Sequence, residues 1–347
     1  MTPTIYDIAK ACGYSIATVS RVVNNVGSVK PETRQIVLDT IDRLNYAPNL
    51  AARSLAGKRA RILGVETGSL LQGKLETDFP LSFLNGAVSA ASEHDYRLLL
   101  SCSEDSLMDS QSTFCIKDLD GVIFPSLHNN KDNIKNLFEA GVPIVYGGMR
   151  QAFDDGPRAH NIYGGYLEYR EMVLNQLINM GYRRILLAES DLHLHDILAS
   201  QGIAELADRF DNRLKKKHQD AFCALERYSI SDLSGLSKIF LSYLEDNLLP
   251  DALFLDSFDA YLFLLETFHQ QGLKVPDDIG VIVASHIADK GENLTPRLST
   301  IYIDAYEMGR RSVELLISQL EKTGQTVDHN VPYRLCIRDS LVSQENR

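Results

Sequence analysis

The stretch IYDIAKACGYSIATVSRVVN, residues 5–24, decides the fold of the N-terminal end of the chain. Its apolar residues recur at helical spacing on both sides of Gly13, the residue type that a tight turn between helices requires. Thr4 is expected to cap the first helix in a capping box with Asp7, and Ser15 is expected to cap the second. Two short helices around such a turn predict a helix-turn-helix, whose second helix enters the major groove by its N-terminal end.

A third helix is predicted to begin at Pro31, because proline suits the first turn of a helix. Apolar residues follow it at helical spacing, namely Ile36, Leu38, Ile41 and Leu44. The N-terminal end is therefore expected to form an all-α head of three helices.

The exposed side of the second helix carries the candidate DNA contacts. Ile16 and Ala17 are apolar at positions where water is expected, so they can meet thymine methyl groups. Arg21, one turn further, can donate two hydrogen bonds to guanine O6 and N7. Short donors suited to phosphate oxygens are Thr18, Ser20, Asn24 and Thr33. The alternative is a three-helix interaction module in which Arg21 is solvated.

The charge of the chain is divided unevenly between its two parts. The net charge is −11, yet residues 1–61 hold nine Lys and Arg against four acids, which leaves −16 for the remainder. A basic head on an acidic body suits phosphate contact by the head alone, since DNA repels the body.

Between head and body, residues 49–58 read NLAARSLAGK, a helical pattern of about two turns that is too short to be stable alone. Ala51 and Ala52 permit close approach of two such helices. Leu55 from each of two subunits can then wedge into a base step and kink the duplex. The alternative is a flexible linker.

The blocks IYDIA (5–9), ATVSRVVN (17–24), LNYAPN (44–49) and ARSL (52–55) together resemble the lactose-repressor (LacI/GalR) family of transcriptional regulators. The resemblance implies a homodimer on a pseudo-palindromic double-stranded DNA operator, with Leu55 as its minor-groove lever. Lys30 replaces the usual small hydroxyl cap before Pro31. The set of candidate DNA contacts then also includes Thr4, Tyr6, Ser15, Lys30, Tyr46, Asn49, Ala52 and Leu55.

In the body, short apolar runs alternate with helical stretches, which predicts parallel sheets covered on both faces. The predicted strands are residues 62–65, 97–100, 121–124, 143–146, 184–188, 252–255 and 280–283. The predicted helices are residues 81–93, 132–140, 169–180, 236–247 and 260–271. Two such doubly wound units flanking a cleft would form a ligand site at the carboxyl ends of the strands.

Weaker matches to the family continue through LINMGYRRI (177–185), VPDDI (275–279) and CIRDS (336–340), the last resembling its closing strand. They imply a type I periplasmic-binding-protein core. The predicted domains are the helix-turn-helix head (1–46), the hinge (47–60), a first lobe (61–160 and 288–320) and a second lobe (161–287 and 321–347).

The sugar-gripping residues of the family are missing at four positions. An arginine is replaced by Ala199, an Asn-Asp pair by Ser257 and Phe258, an acid by Ser285, and an acidic-Asn pair by the segment at 164–166. We therefore expect a small-molecule effector that is not a typical sugar, with candidate contacts at Gly68, Asp191, His193, Phe258, Ser285 and His286. The alternative is a regulator that is constitutive or controlled by a protein partner.

Other functions find little support in the sequence. The loop ESDLHLHD, residues 189–196, alternates His and acidic residues, but no distant further ligand is identifiable, so a metal site is not favoured. No dinucleotide, P-loop or nucleophile-elbow motif is present, which argues against an enzyme and against a cofactor. Five scattered cysteines, no secretory signal and no apolar stretch of about 20 residues indicate a cytoplasmic protein without a membrane partner.

Overall fold

The structure, a computed structural model, describes residues 3–23, 27–46, 59–67, 78–101, 119–125, 140–148, 159–191, 197–229, 232–323 and 327–344 of the 347-residue chain. The chain forms two compact units, Met1–Ala60 and Arg61–Arg347. The predicted hinge over residues 49–58, and all but the last residue of the predicted helix over residues 132–140, lie outside the described residues. None of the helices in the described ranges is both long and apolar enough to cross a membrane.

The first unit contains α1 (Ile5–Cys12), α2 (Ile16–Val23) and α3 (Pro31–Arg43). The predicted capping box is confirmed, since the Thr4 amide donates to Asp7 Oδ2 at 2.8 Å and the Asp7 amide donates to Thr4 Oγ1 at 3.4 Å. Gly13 ends α1 with φ at +76°, a conformation that glycine adopts without strain. Ser15 Oγ accepts from the Thr18 amide at 3.2 Å, so it caps α2 as predicted.

The three helices of the head enclose a small apolar core of Ile8, Ala9, Val19, Val22 and Val37. On α3, Ile36 and Leu38 are 44% and 38% exposed, whereas Val37 between them is fully buried. Successive residues are about 100° apart around a helix, so the face centred on Val37 continues through Ile41 and Leu44. Ile36 and Leu38 flank that face and point away from the core.

The second unit consists of two α/β lobes. The first lobe has a parallel sheet of order β2-β1-β3-β4-β5. Its strands are β1 (Ile62–Glu66), β2 (Arg97–Ser101), β3 (Gly121–Phe124), β4 (Ile144–Gly148) and β5 (Ala159–Tyr163). Helix α4 (Asp78–Glu93) crosses a later helix, Ala305–Glu321, at two glycines. A Cβ at Gly86 would lie 1.9 Å from Tyr306 O, so only glycine permits this close approach.

The second lobe has a six-stranded sheet of order β11-β10-β9-β8-β6-β7, parallel except for β11. Its strands are β6 (Arg184–Ser190), β7 (Phe222–Tyr228), β8 (Ala252–Leu255), β9 (Gly280–Ser285), β10 (Ser299–Ile303) and β11 (Tyr333–Cys336). The helices are α5 (Tyr166–Asn179), α6 (Ile197–Lys215), α7 (Ser234–Glu245) and α8 (Phe258–Gln271), followed by α9 (Ala305–Glu321), which packs on the first lobe. The predicted α/β organisation with two parallel sheets is confirmed.

Two of the expected positions in the core are wrong. The sequence places residues 288–320 in the first lobe, but β10 pairs with β9 in the second sheet, so the chain returns to the first lobe only at α9. The apolar run after the loop at 286–298 simply extends the second sheet. The closing strand is β11, antiparallel to β10, whereas the sequence predicts it at residues 336–340.

The chain passes between the lobes at three places, which lie close together. Gly164 and Gly165 follow β5, Asp304 follows β10, and residues 327–332 precede β11. The third connection is tied to the first, because the Tyr163 amide donates to His329 O at 2.9 Å and the Val331 amide donates to Tyr163 O at 2.8 Å. These three connecting segments therefore form the interlobe hinge, which is distinct from the predicted hinge at residues 47–60.

Candidate DNA-reading surface and effector cleft

The predicted base-reading residues lie on the exposed side of α2. Val19 and Val22 hold the helix against the head core, and that packing leaves Ile16, Ala17 and Arg21 exposed. Ile16 is 41% exposed. The N-terminal turn of α2 thus presents an apolar patch with one arginine a turn further along.

The other predicted DNA contacts fall into three groups. Exposed ones are Thr4, Tyr6, Ser15 and Lys30. Half-buried ones are Thr18, Ser20, Thr33 and Tyr46, of which Tyr46 packs against the head core. Asn24, Asn49, Ala52 and Leu55 lie outside the described residues. Lys30 precedes α3 without a side-chain hydrogen bond to the helix, as its replacement of a hydroxyl predicts.

In the core, the carboxyl ends of β6, β8 and β9 meet at one edge of the second sheet. Arg170, from α5, reaches this edge with no exposed surface and forms two hydrogen bonds of 2.6 Å to the Glu189 carboxylate. Its guanidinium also lies 4.5 Å from the ring centroid of Tyr169 and bonds to the Tyr169 hydroxyl. Burial raises the pKa of Glu189, and the charge of Arg170 opposes that shift.

A second buried polar group stands beside this pair. The Asp256 carboxylate, just after β8, accepts from the Ser190 amide at 2.7 Å and from Ser190 Oγ at 2.6 Å. The Tyr228 hydroxyl, at the end of β7, also donates to Asp256. Burial, and then the neighbouring Asp256 charge, raise the pKa of Tyr228 above its ordinary value, so this phenol stays protonated. The polar groups at the floor of the cleft are thus bonded to one another.

The predicted effector contacts lie around the same edge. Asp191 accepts from Ser229 Oγ at 2.7 Å, and Ser285 Oγ donates to Ile287 O at 2.9 Å. His286 Nδ1 lies 3.2 Å from Ile303 O, and burial lowers the pKa of its imidazole. The remaining three are Phe258, half-buried at the start of α8, and Gly68 and His193, which lie outside the described residues.

Sequence reasoning missed Arg170, Tyr228 and Asp256 as groups of this edge. Arg170 did leave a signal, since it stands three and four residues before Val173 and Leu174 on the buried face of α5, where an unpaired arginine is not tolerated. Asp256 directly follows an apolar strand, a usual position for a site residue.

Two further features bear on other possible binding sites in the core. Among the residues that the structure describes, no three His, Cys, Asp or Glu side chains are grouped to hold a metal ion, and the loop weighed for that role continues into residues 192–196, beyond those residues. A cavity of about 580 Å³ flanks the edge strand β7 between α6 and α7. None of the predicted effector contacts lines it.

Comparison with known proteins agrees with both parts of this architecture. The profile of the lacI family of bacterial regulatory proteins matches residues 4–49, and that of the periplasmic binding protein-like domain matches residues 174–341. The pairing of such a head with such a core defines a DNA-binding transcriptional regulator. The chain thus combines a LacI-family helix-turn-helix domain with a periplasmic-binding-protein-like domain, as its sequence predicts.

Relatives match over almost their whole length. Catabolite control protein A of Priestia megaterium is 27% identical over 350 residues, covering 98% of this chain and 99% of that protein. Catabolite control protein A of Staphylococcus epidermidis is 29% identical over 343 residues, covering 96% and 99%.

Solved structures share the fold. The lac repressor dimer bound to operator and the anti-inducer ONPF superposes with a TM-score of 0.77 at 22% identity, covering 99% of this chain and 100% of that one. A complex of the transcriptional regulator CelR with cellobiose gives a TM-score of 0.62 at 23% identity, covering 98% and 100%. The predicted type I periplasmic-binding-protein fold of the core is confirmed.

Proposed function

We propose that this regulator is a homodimeric, cytoplasmic repressor that binds a pseudo-palindromic operator through its head. The observation that carries the proposal is the exposed turn of α2, where Ile16, Ala17 and Arg21 project from a helix whose opposite face is fully packed. A helix held in this way by a small rigid core can enter the major groove and place those three side chains on base edges. Thr4, Tyr6, Ser15, Thr18, Ser20, Lys30 and Thr33 would then set the register on phosphates.

Selection of the full-length protein on a random double-stranded DNA library tests this proposal. We expect an enriched inverted repeat, which Arg21→Ala weakens by about 1–3 kcal/mol while relaxing the preference at one base pair in each half-site. Arg43→Ala is the matched control, because Arg43 is exposed at the far end of α3. Equal loss of affinity on random DNA would show that Arg21 contacts only phosphate, and no enriched motif would contradict the proposal.

Exposed apolar residues on the core support dimerisation. Leu81 and Val88, 51% and 55% exposed, lie seven residues apart on one side of α4, and Leu262 and Phe263 are exposed on α8. Patches of this kind on a folded core commonly mark a protein interface. Sedimentation of Val88→Glu checks this: we expect the dimer to dissociate while the core stays folded, and an unchanged dimer would exclude this helix from the interface.

For the predicted hinge at residues 47–60, between head and core, we retain the proposal made from the sequence. Leu55 from each subunit wedges into the centre of the operator, and Asn49 and Ala52 belong to the helix that positions it. Leu55→Ala is expected to reduce both operator affinity and the bend of the bound duplex. Loss of affinity with an unchanged bend would argue against the wedge.

The core is proposed to have a cleft for an effector that is not a typical sugar. Sugar hydroxyls are gripped by charged groups that offer paired hydrogen bonds. Here Phe258 and Ser285 stand where the family has such groups, while the nearby charges of Arg170, Glu189 and Asp256 are already engaged. Calorimetric titration with a panel of monosaccharides should give no micromolar binding; such binding would contradict the proposal.

The internal bonding of Arg170, Glu189 and Asp256 favours a second candidate function, that of a regulator that needs no small molecule. The polar side chains at the floor of the cleft already form hydrogen bonds with one another. A ligand would have to break those bonds to form its own, so it would gain little free energy from them. Operator binding by extensively dialysed protein, unchanged when a cell metabolite extract is restored, is the expected result for this candidate. A change of about fivefold or more would favour the effector-controlled regulator.

A further inference from the structure

A lysine of the second lobe reaches across the cleft to the first lobe. Lys290 belongs to the loop between β9 and β10, and its Nζ lies 2.5 Å from Oδ1 of Asp78, the first residue of α4. Their side chains are only 23% and 15% exposed. Because so little water reaches this ion pair, it is screened less than a surface pair.

Both partners are held in place by their own lobes. The Lys290 ammonium lies 4.3 Å from the ring centroid of Phe258 at the start of α8, within range of a cation–π interaction. The Asp78 carboxylate lies in the first turn of α4, where the helix dipole favours a negative charge. Next to them, the ring of Phe79 meets the ring of His286 edge to face, with centroids 5.0 Å apart.

We propose that Lys290 takes the place of a ligand in the cleft. Its ion pair with Asp78, here called the latch, holds the two lobes closed without an effector. Lys290 makes the two contacts by which a bound cation bridges two lobes, one to a carboxylate and one to an aromatic face. Asp78 and Phe258 are therefore already occupied, and Phe79 with His286 seals the adjoining stretch. An effector can close two lobes only if it binds the closed form more favourably than the open form. Here the Lys290–Asp78 ion pair, which joins the two lobes, provides that preference for the closed form.

This inference deepens the proposed function by favouring its effector-independent form. The latch itself is a property of the core and is measured without DNA. Failure of the library selection would therefore leave the latch result standing, and failure of the latch would leave operator reading by the head intact.

Hydrogen exchange of the full-length protein, without DNA or added ligand, tests the latch. We expect Asp78→Asn and Lys290→Met each to speed exchange about tenfold in peptides from α4 and from residues 286–298. The double variant should exchange no faster than either single variant, because both remove one shared contact. Glu171→Gln is the matched control, since it breaks the Arg209–Glu171 ion pair between α5 and α6, within the second lobe and outside both reporting segments.

Three results would overturn the proposal. Unchanged exchange in both single variants would show that the ion pair does not hold the lobes. Effects that multiply to about a hundredfold in the double variant would show that the two residues act independently. Faster exchange in β6 and β8 as well would show that the pair supports the fold as a whole and not the closure of the cleft.

Discussion

The head and the second lobe use their polar and charged side chains in opposite ways. In the head, Arg21 on α2 and Lys30 just before α3 are exposed while the inward faces of the helices are packed, so their hydrogen-bonding groups are available to a partner. In the second lobe, Arg170 and Glu189 form a buried bidentate pair, and Asp256 is bonded to Ser190 and Tyr228. A recognition surface and a satisfied interior can thus be distinguished by where each donor and acceptor finds its partner.

The largest effect is expected when the buried Arg170–Glu189 pair of the second lobe is broken. Arg170→Met leaves the Glu189 carboxylate buried without its partner, and we expect it to lower the free energy of unfolding of the core by about 3–5 kcal/mol. Chemical denaturation of the full chain measures this. Arg170→Met combined with Glu189→Leu should recover most of the loss, since neither charge of the pair is then left without its partner. A loss below about 1 kcal/mol for the single variant would show that water or another group replaces the pair.

The next effect concerns the packed face of the head. Val37→Ala should destabilise the head by about 2 kcal/mol, because Val37 is fully buried between the helices. Ile36→Ala, its exposed neighbour, should change the stability by less than about 0.5 kcal/mol. Hydrogen exchange of α1–α3 in the full chain reports both values. A larger loss for Ile36→Ala than for Val37→Ala would show that Ile36, and not Val37, packs in the head core.

A smaller effect is expected at the uncapped start of α3. Lys30→Ser supplies a hydroxyl that can accept from the amides of the first turn, and should stabilise the head by about 1 kcal/mol. Lys30→Gln keeps the position polar without a good cap and should leave the stability near that of the wild type. If Lys30→Ser instead weakened operator binding without stabilising the head, the phosphate contact would be the dominant role of Lys30.

The smallest effect is a pH dependence in the core. Burial holds the pKa of His286 below its ordinary value of 6.5, so at mildly acidic pH the unfolded chain takes up a proton that the folded chain does not. The free energy of unfolding of the core should therefore fall as the pH drops below about 6.5. His286→Asn should flatten this dependence between pH 5 and 7 in denaturation curves. An equally steep dependence in that variant would assign it to other groups.

The sequence predicts the continuously apolar strands well and the strands that carry polar residues poorly. β3 and β8 begin and end where their apolar runs do, because strands buried on both faces are continuously apolar. The three strands without a sequence prediction are β5, β7 and β10. β5 and β7 lie at the edges of their sheets and carry polar residues such as Asn161 and Glu226, and the interior strand β10 begins with Ser299 and Thr300. Polar residues shorten the apolar run in these strands, so periodicity alone does not mark them as strands.

The site shows the same limit. The caps at Thr4 and Ser15 are local in sequence, and their residue types are enough to predict them. The Lys290–Asp78 pair joins residues 212 positions apart, and no spacing rule connects them. Their partnership follows only from the way the two lobes are folded together around the hinge.

The head presents exposed side chains to operator DNA, whereas the cleft is already bridged by its own Lys290. Operator affinity of dialysed full-length protein, measured by fluorescence anisotropy on the selected duplex with and without the monosaccharide panel, tests this claim most directly. We predict sequence-specific binding in the absence of any added ligand, changing by less than about twofold when sugars are added. Binding that appears only with a sugar, or changes by about fivefold or more, would contradict the account.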